Sequence, residues 1–304
     1  MTFFGSRALT VQTLESMALA LEASKDFRVL RRLDPTWIST AARRSRPYGI
    51  FLDVETTGLD PERDTVIELA MLPFDYTLDG RILSVGEPFA GLRDPGVPIP
   101  PDVVALTGLT DERVAGASID PLEVETFADG AALIVAHNAQ FDHPFCEKLW
   151  PIFATKPWAC SYREVAWAKE GFDGAKLCHL AAGHGFFFEG HRAADDCRAG
   201  VEILARRLPI SGVTGLSVLL ESARRTRFRL RAVKAPYALR GLLKDRGYRW
   251  DGDEHGQPKA WFADVEEANL EAELSFLRRH VYRRDAIHID PRKITAWDRY
   301  SERC

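Results

Sequence analysis

Residues 49–60 read GIFLDVETTGLD, and Asp53 and Glu55 are acids set one residue apart in a run that otherwise has the character of a buried strand. Side chains alternate faces along a strand, so Asp53 and Glu55 share one face while Ile50, Leu52 and Val54 share the other. An unpaired buried charge is costly, so something must compensate this pair. Two residues along a strand span about 6.6 Å, which suits two carboxylates gripping a pair of divalent ions about 3.5–4 Å apart. Hard cations such as Mg²⁺ take oxygen ligands, few of them from the protein. The competing reading is a strand end at which both acids meet water, and this motif alone does not separate the two.

Beyond this stretch, 64–76 (DTVIELAMLPFDY) and 81–89 (RILSVGEPF) read as two more strands, joined at the hairpin signal Asp79-Gly80. SIDPLEVETFADG predicts a helix ending at Gly130. ALIVAH is a short apolar strand, and NAQFDHPFCEKLW is a helix opened by Asn138 as N-cap. PWACS is a further strand, and helical patterns follow at 162–171, 176–185 and 194–208. A three-strand meander followed by alternating helices and strands indicates a mixed α/β sheet with helices on its faces.

Before this unit, residues 1–46 read as a helical extension, with Leu14, Met17, Leu19 and Leu21 near helical spacing and a basic end, AARRSRP. PISGVTG breaks the pattern near residue 210, so 47–210 is expected as one domain and 211–222 as a linker. Residues 223–304 then read as a small α+β domain. Its strand RTRFRLRAV puts Arg225, Arg227, Arg229 and Arg231 on one face and Phe228 and Leu230 on the other. YRW and KAWFADV flank DGDEHGQP as a hairpin, and a helix follows at 266–282.

The net charge of −4 does not favour a nucleic-acid binder, but between Arg224 and Arg249 a dense run of Arg and Lys meets only one acid, Asp245. Charge of this kind attracts a phosphate backbone without reading sequence. The neighbouring Phe228, Tyr248, Trp250, Trp261 and Phe262 can stack on unpaired bases or fill a small core. No apolar run is long enough to span a membrane. The five scattered cysteines form no CxxC, so the expectation is a cytoplasmic protein without a disulfide framework.

More acids strengthen the metal reading. AHNAQFD places Asp142 one helical turn after Asn138, just past a short strand. GHRAADDCRAG places Asp196 early in a helix, five residues after His191. On the same helical face Ala199 and Gly200, with Ile203, would let that helix sit close to a sheet. Asp195 points about a quarter-turn away and is expected in solvent.

DVETTGL, HNAQFD and HRAADD, in this order, resemble the His-containing branch of the DEDD 3′–5′ exonucleases. That family includes the epsilon proofreading subunit of bacterial DNA polymerase III, ribonuclease T and oligoribonuclease. The resemblance covers about residues 47–208, and LTGLTDERV is similar to the family's loop before its fourth strand. It implies an RNase H-like, mixed five-stranded sheet. Asp53, Glu55, Asp142 and Asp196 would then be ligands of two Mg²⁺ or Mn²⁺ ions, with His191 as general base. It further implies that Thr56, Leu59 and Phe141 border the terminal nucleotide.

The chemistry agrees. A phosphodiester repels nucleophiles by its charge, two metals offset that charge, and an imidazole is suited to taking a proton near neutral pH. The function expected is release of nucleoside 5′-monophosphates from single-stranded DNA ends in proofreading or repair. Three alternatives stand beside it: an exoribonuclease acting on RNA, a binding module docked on a DNA polymerase, and a metal-dependent hydrolase of small phosphates. His137, His143, His179 and His184 show no partner in the sequence and are read as structural.

Overall fold

The computed structural model describes residues 10–34, 48–252 and 258–301. The basic stretch 41–47 and most of the turn at 251–258 lie outside the described residues. The chain opens with helix α1 (Val11–Glu22) and a two-residue strand, β1 (Arg31–Arg32). Then come β2 (Tyr48–Thr56), β3 (Val66–Tyr76), β4 (Ile82–Val85) and β5 (Phe89–Leu92). Short helices α2 (Pro101–Thr107) and α3 (Asp111–Val114) and helix α4 (Pro121–Ala128) lead to β6 (Ala131–Ala136). Helix α5 (Ala139–Leu149), β7 (Trp158–Cys160), α6 (Ser161–Glu164), α7 (Leu177–Gly183), β8 (Phe186–Phe187), α8 (Ala193–Ala205) and α9 (Gly215–Arg224) follow. The remainder is β9 (Arg227–Val233), α10 (Arg240–Asp245), β10 (Arg249–Asp251), β11 (Ala260–Glu266), α11 (Leu270–Phe276) and β12 (Arg292–Ile294).

The main sheet has six strands in five positions, one strand more than expected, because the predicted strand 81–89 is split into β4 and β5. β3 runs antiparallel to β2, and β6 and β7 run parallel to it, in the order β3-β2-β6-β7. β4 and β5 share the outer edge of β3, at residues 74–76 and 68–71. This is the mixed sheet expected of an RNase H-like fold. Gly80 makes the β3–β4 turn at φ 88°, a left-handed conformation suited to glycine.

The alternation read from β2 determines its packing. Ile50, Leu52 and Val54 enter a core shared with α4 and α5, while Phe51 enters the opposite core with α7, α8 and α9. Asp53 and Glu55 continue the Phe51 face, the one that α8 covers. A Cβ on Gly200 would lie 2.1 Å from Cζ of Phe51, so only glycine allows α8 this close to the sheet. The Cys197 thiol donates to the Phe51 carbonyl across the same contact, at 3.4 Å.

Several expectations change. The N-terminal extension is helical only over Val11–Glu22 among the described residues, and no residue of α1 is buried. β1 instead pairs in parallel with β8. The expected linker at 211–222 is largely occupied by α9, whose Leu216, Leu219 and Leu220 are buried in the core beside α8. The helix expected at 162–171 breaks after α6, because Trp167 turns into the core and donates its Nε1–H to the Ser161 carbonyl at 2.7 Å.

Residues 227–294 carry a second sheet, ordered β10-β11-β9-β12, over their own core of Leu230, Trp261, Leu274 and Leu277. The chain then returns to the first sheet. The Trp158 N–H donates to the Ala296 carbonyl at 2.7 Å, and Arg299 pairs with Glu164 at 2.9 Å in a buried site.

Candidate active site

Asp53 and Glu55 stand at the C-terminal end of β2, beside the parallel half of the sheet. Asp196 reaches the same place from the first turns of α8. The three side chains each offer a carboxylate oxygen within 4.8 Å of the others. Asp142, on the first turn of α5, is buried and stands outside that trio. Its Oδ1 accepts the Val54 N–H at 3.3 Å, which ties α5 to the end of β2.

Crowding of like charges in a poorly hydrated place shows in the acidities. Burial pushes the Asp53 carboxyl well above the usual range, and Asp142, Asp196, Glu55 and Glu68 push it further. Burial, then Asp196 and Glu68, raises Glu55 to about 8. Burial also raises Asp142, against the Val54 N–H. Asp196 rises to about 7, burial outweighing the His191 and Arg192 N–H groups that favour its anion. Hard oxygen donors whose anions lack compensation are the donor set a divalent cation fits.

His191 lies in the bend before α8, exposed, with a left-handed φ of 66°. The next N–H, that of Arg192, donates to Asp196 Oδ2 at 3.2 Å, so the bend that carries His191 is fixed to the acid cluster through its backbone. Asp195 pairs with Arg198 at 2.8 Å at the partly exposed side of the helix, as its angular position predicts.

Sequence reasoning missed Glu68 and Arg192. Glu68 lies opposite Glu55 in the β2–β3 register and is 3% exposed. Its two oxygens take Arg192 Nη2 at 2.7 Å and Nε at 3.2 Å, and Oε2 also accepts the Ala193 N–H at 3.2 Å. One charged residue inside the otherwise apolar run VIELAML was the available signal.

Around the cluster, the Thr56 hydroxyl donates to the Gly58 carbonyl at 2.5 Å, so it serves the turn. Leu59 is 84% exposed at the tip of that turn and takes no part in the core. Phe141 is half-buried, packs on the core that contains Ile50 and lies 5.1 Å from the Phe145 ring. Three of the other histidines, His137, His143 and His184, have structural surroundings, while His179 is exposed. His137 bonds Ser161 and the Ala175 carbonyl at 2.8 Å each, and burial takes it down to about 4. His143 is buried against Trp158, and His184 packs beside Phe172.

The exonuclease family (RNase_T) matches residues 50–204. The chain belongs to this exonuclease family. Curated relatives of the exonuclease domain include the PolC-type DNA polymerase III of Listeria welshimeri, 42% identical over 102 residues, or 32% of this chain and 6% of that one. The PolC-type enzyme of Clostridium perfringens is 31% identical over 169 residues, covering 52% of this chain and 11% of that one. This chain therefore spans a small part of the relatives it matches. Among solved structures, exonuclease X in complex with 5′ overhanging duplex DNA is 24% identical, covering 56% of this chain and 97% of that one, with a TM-score of 0.41. Exonuclease I of E. coli in complex with a dT13 oligonucleotide is 19% identical, covering 54% and 42%, with a TM-score of 0.45.

Proposed function

We propose that this protein is a metal-dependent 3′–5′ exonuclease that releases nucleoside 5′-monophosphates from single-stranded or frayed DNA ends, in proofreading or repair. The observation that carries the reading is the approach of Asp53, Glu55 and Asp196 to within 4.8 Å, with Asp142 beside them. These four carboxylates would hold two Mg²⁺ or Mn²⁺ ions. When bound, the ions offset phosphate charge, acidify the attacking water and stabilise the leaving oxygen.

The protein's own groups do the rest. The β2 end and α8 fix the acids before substrate arrives, so little reorganisation is needed at reaction. His191 takes a proton from the attacking water. The water oxygen bonds to phosphorus, the bond from phosphorus to the 3′ oxygen of the preceding nucleotide breaks, and that oxygen leaves, taking a proton from solvent to become the new 3′ hydroxyl. Leu59, exposed on its turn, would wedge against the last base, with Phe141 beside the acid on α5 and the Thr56 N–H near the 3′ end.

DNA is favoured because the matched relatives include PolC-type DNA polymerases III. Association with a polymerase subunit and a cytoplasmic location belong to the same proposal. So does the division into an N-terminal extension over 1–46, an exonuclease domain over 47–210 and a C-terminal accessory domain, which α9 joins to the exonuclease core. Incubation with matched DNA and RNA oligonucleotides, followed by chromatography of the products, tests it. Nucleoside 5′-monophosphates should form in Mg²⁺ and not in EDTA. Faster turnover of RNA would overturn the DNA preference.

A further inference from the structure

The arginine-rich strand does not present the free basic face that its sequence implies. Arg229 makes a two-pronged pair with Asp264, at 2.7 and 2.9 Å, and Arg231 pairs with Asp251 at 2.6 Å. Arg225 pairs with Glu221 and Glu266, and Arg227 turns toward the Ser222 hydroxyl at 3.3 Å. Of the five aromatics singled out, Tyr248 and Trp261 are core, and Trp250 is 54% exposed.

Uncompensated charge collects elsewhere. A cleft of about 570 Å³ lies between the second sheet and helices α5 and α6. Five arginines line it against three carboxylates. Three of those arginines, 227, 229 and 299, have the partners named above. Arg163, on the exonuclease side, and Arg249, on β10, have no carboxylate partner among the described residues. Burial lowers the Arg249 guanidinium, with the like charges of Arg163 and Arg229 adding to this and Asp264 opposing it. Arg229 and Arg249 both lie 4.8 Å from the Phe262 ring centre, while Trp250, the next residue on β10, turns to the other face of the sheet, its ring 5.6 Å from that of Trp261.

The position fits one ligand. Gln140 and Pro144 of α5 line the cleft. Two residues away in either direction is Asp142, on the opposite side of the same helix, holding the end of β2. A helix with its side chains is about 10–12 Å across, so a strand whose end lies at the acids needs only a short run to reach the cleft. Two guanidiniums without a carboxylate match a phosphodiester backbone.

We propose that the cleft between Arg163 and Arg249 binds the backbone of single-stranded nucleic acid upstream of the end being removed. This rests on the exonuclease reading above, but binding and cleavage are measured apart. Binding of a fluorescein-labelled oligothymidylate of about twenty nucleotides, long enough to fill a site of the usual size, is followed by anisotropy in EDTA over a salt series. Arg163→Ala/Arg249→Ala should weaken it about tenfold and flatten the slope of log K against log salt by about 1.4, at about 0.7 for each phosphate no longer neutralised. Arg249→Lys should keep the slope, and Trp250→Ala, on the other face of the sheet, should leave affinity and slope unchanged. Hydrolysis of a dinucleotide in Mg²⁺, too short to reach the cleft, should be the same in all variants.

Both arginines keep exposed side chains, Arg249 being desolvated only in part where it lines the cleft, so neither holds the core and the variants should fold; a melting curve checks this. Unchanged affinity and slope in the double variant would overturn the proposal. Equal losses for thymidine monophosphate and the long strand would also overturn it, in favour of a mononucleotide site. Tighter binding of an acidic peptide than of the oligonucleotide would reassign the cleft to a protein partner. A wild type that binds the strand in EDTA and cleaves nothing in Mg²⁺ would count against the exonuclease reading alone.

Discussion

Glu68 and Arg192 form a buried two-pronged ion pair, at 2.7 and 3.2 Å, that fastens the start of α8 to the strand beside Glu55. The pair sits between the His191 bend and the acid cluster, and the Arg192 charge opposes the rise in the Glu55 pKa. Its two members differ in exposure, 4% for the Glu68 side chain and 35% for Arg192.

Removing either partner therefore has unequal consequences. Arg192→Ala leaves a buried, unpaired carboxylate among four other acids. It should cost about 2 kcal/mol, below the usual figure for a fully buried pair because Arg192 is partly solvated. Glu68→Gln leaves an arginine that can turn to water, so it should cost less. Both should lower kcat more than they raise KM, because they act on the placement of His191 and Asp196. Urea melts and steady-state kinetics check this, and equal destabilisation by the two variants would contradict it.

Asp53→Asn should separate activity from stability. Nuclease turnover should fall about a thousandfold, equivalent to about 4 kcal/mol in the barrier. In EDTA the same variant should melt higher than wild type, because it removes a carboxyl whose ionisation burial and the neighbouring acids oppose in the fold. Differential scanning calorimetry with and without EDTA measures the second effect.

The pH dependence of the metal-free protein follows from the same crowding. Glu55 and Asp196 are raised to about 8 and about 7 in the fold, above their ordinary values of 4.5 and 3.8. The folded state thus binds these protons more tightly than the unfolded state. The stability they contribute is fully present below about pH 4 and is lost as pH rises through 7 and 8. Binding a divalent cation displaces the protons. The rise in Tm caused by Mg²⁺ should therefore grow between about pH 6 and 8, where these two groups lose their protons in the fold. A constant increment across that range would contradict the assignment of the acids to the cation.

Gly200→Ala tests the close approach of α8. The new methyl would lie 2.1 Å from Phe51 Cζ. Overpacking costs about 1–3 kcal/mol, against about 1 kcal/mol gained in helix propensity. A net loss of about 0–2 kcal/mol is expected from these two effects, and a clearly stabilised variant would show that α8 can shift outward.

The sheet and its acids were legible in the sequence because period-two alternation places residues on faces without further information. Ile50, Leu52 and Val54 go one way and Phe51, Asp53 and Glu55 the other. Gly200 carried its own signal, a small residue on the face below Asp196. What the sequence could not show was pairing across long separations. Arg229 finds Asp264 and Arg231 finds Asp251 only when β9, β10 and β11 come together, so the strand's charge looked free in one dimension. α9 was hidden by PISGVTG, whose break ends at Thr214, the N-cap of the next helix.

If Asp53 and its neighbours support removal of nucleotides from the 3′ end, a single-stranded DNA oligonucleotide labelled at either end will show it. The strand is incubated with wild type or Asp53→Ala, in Mg²⁺ or in EDTA. The 5′-labelled strand should shorten as a ladder and the 3′-labelled strand should yield labelled mononucleotide at once, only with wild type and only in Mg²⁺. An intact strand under all conditions, or a ladder that survives Asp53→Ala, would contradict the role given to these acids.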